Sequence, residues 1–208
     1  MIQKITFTTI LVVATFIVAT IFLRRGKLYL YLYGIIALNF LSEILAFIAT
    51  VTQKFSFVSV YNLNFIFQPL LWLLLLGYIL KSRKKAKILA ISFLTFGLLN
   101  ISFYEQMDLN ENTLLLGSFL YLGFFIWGHF KLIKDEVLNY FNSNRFILVS
   151  APIILFFGIS ILFAFGDSGL RSTPMLGKSL YYYIQFISNF IFYSLLILYI
   201  IKSRNEEK

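Results

Sequence analysis

Three stretches of this chain set polar side chains four residues apart inside apolar runs: Asn39 with Glu43, Asn64 with Gln68, and Gln185 with Asn189. Residues i and i+4 share one face of an α-helix, so each pair presents a polar patch to whatever that face meets. Only Glu43 ionises. A carboxylate amid apolar residues can carry a proton, accept from a ligand's donors or hold a cation, and the surrounding amides can donate to it without adding charge. At about 1.5 Å per residue, Glu43, Gln68 and Asn189 all fall about 12–15 Å from the same end of their helices, so three polar faces are expected to converge. The expected result is a small ligand or proton site built from Asn39, Glu43, Asn64, Gln68, Gln185 and Asn189. The alternative is interhelical glue, in which each hydrogen bond contributes about 1 kcal/mol and fixes helix register. Glue explains the amides well. It explains an ionisable group less well, because a charged carboxylate at bilayer depth costs about 2.5–3.5 kcal/mol or more unless it faces donors or is protonated.

The elements that must position these residues are membrane helices. With 60% hydrophobic and 13% charged residues, the 208-residue chain has too little polar surface to cover itself in water. Seven apolar runs approach the roughly 20 residues a spanning helix needs. They lie near 5–23, 29–51, 58–80, 87–103, 112–130, 146–166 and 179–201, the fourth being the shortest. The fold expected is all-α, a single seven-helix transmembrane domain over 1–208. The first run is followed, not preceded, by "RRGK" and has no small-residue cleavage site, so it is expected to stay in place.

Charge orients the bundle. Fourteen of the 18 basic residues follow helices one, three, five and seven: Arg24, Arg25, Lys27, Lys81, Arg83, Lys84, Lys85, Lys87, Lys131, Lys134, Arg145, Lys202, Arg204 and Lys208. The opposite side has Lys4, Lys54, Arg171 and Lys178, together with Glu105, Asp108 and Glu111. The positive-inside rule then puts the amino terminus outside and the carboxyl terminus in the cytoplasm of a multi-pass inner-membrane protein. Anionic lipid beside "KSRKKAK" accounts for the net charge of +9, and no nucleic-acid partner is expected.

Other chemistries lack their parts. No cysteine is present, and His129 is the only histidine, so neither a zinc site nor a thiol nucleophile can be assembled; no metal or cofactor is expected. His129 and Glu43 fall toward opposite membrane faces, and Asp108, Asp135 and Asp167 fall in loops, which leaves no serine-hydrolase base and no intramembrane aspartyl pair. The chain is expected to be no enzyme. Gly34, Gly77 and Gly158 are expected to allow close helix contact, and Pro69 to kink helix three. In the connection 131–145, Ile133, Val137, Tyr140 and Phe141 would share one helical face, as a packed linker or as a docking surface for a cytoplasmic protein.

Residues 61–83, "YNLNFIFQPLLWLLLLGYILKSR", match residues 182–204 at ten of 23 positions, placing Asn64 over Gln185 and Gln68 over Asn189. A parallel repeat of 1–83 by 112–204, with 87–103 as the linker helix, follows from that register. This layout resembles the small sugar and amino-acid transporters built as three helices, a linker and three more, although the proline–glutamine pair of that family is absent from helices one and five. The tyrosine- and phenylalanine-rich helices, with "YNLNFIFQPLLWLLLLGY" at 61–78, also resemble small seven-helix membrane proteins of the Bacteroidota. Some of these look like membrane modules of signalling kinases and others like accessory proteins of RNA-targeting CRISPR effectors. The first resemblance implies a solute or proton-coupled transporter using the Glu43 pocket. The second implies a non-enzymatic accessory or sensory protein that regulates a separately encoded membrane or cytoplasmic partner, and this is the leading expectation.

Overall fold

The structure, a computed structural model, describes residues 6–23, 26–104, 108–164, 173–175 and 177–205. Lys4, Arg24, Arg25, Glu105, Asp167, Arg171 and Lys208 lie outside the described residues. Seven α-helices are present among the described residues: α1 (Phe7–Phe22), α2 (Lys27–Thr52), α3 (Phe57–Ile79), α4 (Arg83–Phe103), α5 (Glu111–Lys134), α6 (Asn144–Ala164) and α7 (Leu180–Asn205). Six of them, α2 to α7, are long and apolar enough to cross a membrane. The shortest is α1, at 16 residues, whereas α4 extends back through the basic turn to 21. Lys and Arg are good helix formers, so an apolar-run criterion cut α4 too short.

Local chemistry sets the helix ends. Thr6 caps α1 by accepting from the Thr9 N–H at 3.2 Å, and Ser56 caps α3 through the Val58 N–H at 3.1 Å. At the other end of α5, Glu136 takes φ 56°, its N–H donating to the Ile133 carbonyl and the Val137 N–H donating to the Leu132 carbonyl, both at 3.0 Å. That is a Schellman stop built without the usual glycine. A side chain in the left-handed region costs about 1 kcal/mol, so Glu136→Gly is expected to stabilise the protein by about 0.5–1 kcal/mol, read as a higher melting temperature in detergent.

Sequential helices pack on one another, and α3 also meets α5 while α1 meets α7. These pairings close a ring in the order α1, α2, α3, α5, α6, α7. The pairs α3 with α5 and α7 with α1 correspond if the first three helices are set over the last three. Helix α4 touches only α3 and α5 at comparable extent, outside the ring. The core is aromatic: Trp72, Tyr121, Phe156 and Phe192 are fully buried, with Trp72 edge-on to Tyr121 and Phe192 at 6.3 and 6.0 Å between centroids. Helix α3 runs unbroken through Pro69, whose ring sits against Gly117 of α5, where an added Cβ would lie 2.8 Å from Pro69 Cβ. Gly77 meets Ala86 and Gly158 meets Ser188 so closely that no Cβ fits, as expected, but around Gly34 there is open space, so that glycine does not serve helix contact.

The four side chains expected on one face of 131–145 do not share one. Helix α5 ends at Lys134 and a 3-10 turn (Leu138–Asn142) follows, because the left-handed Glu136 breaks the periodicity. Tyr140 and Phe141 join His129 and Phe146 in an aromatic cluster, while Ile133 and Val137 remain exposed. Burial raises the pKa of the Tyr140 phenol against a smaller opposing pull from Arg145, so it is neutral at physiological pH. Before α7, a small antiparallel ribbon pairs Pro174 with Ser179 and Met175 with Lys178.

Candidate functional site

Glu43, on α2, is half-buried and its donors are hydroxyls. Thr9 of α1 donates to Oε2 at 2.7 Å, and Tyr61 of α3 donates to Oε1 at 3.4 Å. Three helices are thus tied to one carboxylate. A carboxylate offers about four acceptor positions, so two are left for a ligand.

Glu43 lines a cavity of about 350 Å³. Its walls hold Glu43, Tyr61 and Gln185, but otherwise they are mainly aromatic: Phe57, Phe65, Tyr181, Tyr182 and Phe186 all contribute. The rings come from the first halves of α3 and α7, and Phe7 from the start of α1 packs tilted against Phe186, 4.6 Å between centroids. The Lys178 ammonium stands 3.8 Å from the centroid of the Tyr182 ring. That contact shows that a cation can rest on these faces, as the ring quadrupole dictates.

The six residues expected to form one site separate into three groups. Glu43 and Gln185 share the cavity. Asn39 and Asn64 are deeper, Asn64 Nδ2 donating to Asn39 Oδ1 at 3.3 Å, with Asn39 Nδ2 and Asn64 Oδ1 left without partners. Gln68 and Asn189 are buried and do not line the cavity, and Asn189 Nδ2 donates back to the Gln185 carbonyl of its own helix at 2.8 Å. The i, i+4 rule places two residues on a face but not at one depth. A rise of about 6 Å separates the members of each pair, enough to put one in the cavity wall and the other in the core.

Thr9 and Tyr61 were not singled out by sequence reasoning, since hydroxyl and phenol residues are common in apolar helices. Tyr61 stands three residues before Asn64 and seven before Gln68, on the polar side of α3, and that register was the available signal. A second polar knot also went unnoticed. Asn62 Nδ2 donates to the Asp108 carbonyl at 2.9 Å and Asn62 Oδ1 accepts from the Asn110 N–H at 2.8 Å, while Asn100 Nδ2 donates to Asn110 Oδ1 and, at 3.2 Å, to Thr113 Oγ1. It pins the α4–α5 connection to α3 and leaves only the buried Asn110 Nδ2 without a partner.

No group of three or more His, Cys, Asp or Glu residues able to hold a metal occurs among the described residues. His129 Nδ1 donates to the Phe125 carbonyl at 2.7 Å and its ring packs in the aromatic cluster, away from Glu43. Comparisons with protein-family models, with curated proteins and with solved structures return no match.

Proposed function

We propose that the chain is a membrane-embedded, non-enzymatic sensory module, multi-pass in the inner membrane with its basic end in the cytoplasm, which binds a small organic cation in the Glu43 cavity. The observation that carries this reading is the composition of the cavity: one carboxylate with unused acceptor positions inside a wall of aromatic rings. Carboxylate and ring faces together favour an ammonium group with apolar substituents over water or a neutral solute. Along α3 the fully buried Trp72 lies 11 residues beyond Tyr61, about 16 Å, so packed rings separate the cavity from the basic end. A cavity blocked toward the basic end suits detection more than conduction. Output to a separately encoded partner would use the exposed Ile133 and Val137 at the basic end, with Tyr140 and Phe141 acting as internal supports.

The test is thermal melting of the purified protein in neutral detergent with choline and with its uncharged isostere 3,3-dimethylbutan-1-ol. Choline is expected to raise the melting temperature of the wild type and the isostere to leave it unchanged. Glu43→Gln is expected to weaken choline at least about tenfold, the scale of a charge-assisted contact of 1.5–3 kcal/mol. Equal shifts from choline and the isostere, or an unaltered response in Glu43→Gln, would overturn the reading. Crosslinking and affinity purification of the wild type against Ile133→Ala/Val137→Ala tests the output side.

A compact transporter is the second reading, favoured by the closed six-helix ring with corresponding pairings in its two halves. Choline uptake into proteoliposomes that depends on Glu43 would support it over sensing.

A further inference from the structure

Four cations from three stretches of the chain line a second cavity, of about 480 Å³, at the opposite end of the bundle. Lys27 opens α2, Lys81 and Arg83 flank the turn between α3 and α4, and Arg145 lies at the start of α6. No carboxylate lines this space among the described residues. Like charges brought together around one small volume repel, and an anion between them converts that repulsion into attraction.

The neutral parts of the wall also donate. Helix α2 begins there with Gly26 as its N-cap, with no side chain capping it and no acidic residue in its first turn. Gly26, Lys27 and Leu28 line the cavity, so the positive end of the helix dipole lies beside it. A helix start alone is common. Here it coincides with Asn144, which is 7% exposed, lines the same cavity and has an Nδ2 without a partner. The Arg83 guanidinium is held 4.5 Å from the Tyr78 ring centroid, a stacked placement that limits its freedom before any ligand arrives.

Cationic forks, an uncapped helix start and a buried amide donor have one ligand chemistry in common. We propose that this cavity is a phosphate-binding site, taking a phosphate group carried either by an anionic phospholipid headgroup or by a free phosphate compound. It is independent of the Glu43 cavity. It also divides the basic residues into two sets, since Lys84 and Lys87 do not line the cavity.

The test uses the full chain in neutral detergent, with two probes followed by native mass spectrometry and titration calorimetry: short-chain phosphatidylglycerol, against phosphatidylcholine of the same length, and inorganic phosphate. Saturable binding of either probe is expected for the wild type and for Lys84→Gln/Lys87→Gln. Arg83→Gln/Arg145→Gln, with the same loss of charge, and Asn144→Leu, with none, are each expected to bind at least tenfold more weakly. Phosphatidylglycerol binding that inorganic phosphate does not displace assigns the group to lipid, and saturation by inorganic phosphate assigns it to a free compound. Absence of saturable binding by the folded wild type overturns the proposal. So does an equal loss in the two glutamine pairs, or wild-type affinity in Asn144→Leu. Should the arginine pair fail to fold, Asn144→Leu and the milder Asn144→Ser decide the matter.

Discussion

Replacing Trp72 by alanine is expected to lower stability by about 3–5 kcal/mol, the largest effect of any single truncation in the molecule. Trp72 is fully buried and touches α5 and α7 through Tyr121 and Phe192, so one ring joins helices from both halves of the chain. Within a membrane the loss comes from forfeited packing, because lipid replaces water as the surrounding medium. The indole Nε1 has no hydrogen-bond partner, so no polar interaction is removed with the ring. Trp72→Phe is therefore expected to recover more than half of the deficit. Thermal melting of the three proteins in one detergent checks both values, and a Trp72→Ala protein that melts with the wild type would remove the aromatic core from the account of stability.

The second large effect is expected at the contact of α6 with α7. A Cβ on Gly158 would overlap the Ser188 hydroxyl and stand 2.9 Å from Ser188 Cβ. Gly158→Val must push the helices apart, and the expected loss is about 1–3 kcal/mol, with a further decline in monodisperse yield. Ser188→Gly in the same chain is expected to restore part of it, which a general effect of valine on the helix would not allow. Gly34→Ala and Gly123→Ala supply the contrast, since nothing lies within 4 Å of a Cβ at either position. Helix propensity alone then acts, and each is expected to be neutral or to stabilise by up to about 1 kcal/mol.

Much of this architecture was legible because hydropathy is a property of composition over a window. Seven apolar runs became seven helices, and the grouping of basic residues after alternate helices reappears where Lys27, Lys81, Arg83 and Arg145 meet in one cavity. What was lost depends on distances across helices. Glu43 could be identified as the residue in need of partners, but which hydroxyls would reach it is set by how α1 and α3 are rotated about α2. Asn62, Asn100, Asn110 and Thr113 are unremarkable apart, and only the approach of α3 to the α4–α5 connection makes them a network. The one-face reading of Ile133, Val137, Tyr140 and Phe141 assumed a helix that a left-handed Glu136, with no glycine to announce it, brings to an end.

Helix α4 closes no gap in the ring, yet without it α5 would start at the wrong end. Its outward residues Ile88, Ile91, Leu98, Leu99 and Phe103 are all exposed, while its inner face packs on α3 through close contacts such as Ala86 on Gly77 and Gly97 on Ile66. Such a helix is constrained on its inner face, by those small residues, by the buried Phe93 and by Asn100 in its network, and on its outer face only to be apolar enough to cross. Over evolutionary time its outer face is free to drift among apolar residues faster than any member of the ring, so α4 is where diverging descendants of this chain would first cease to resemble one another.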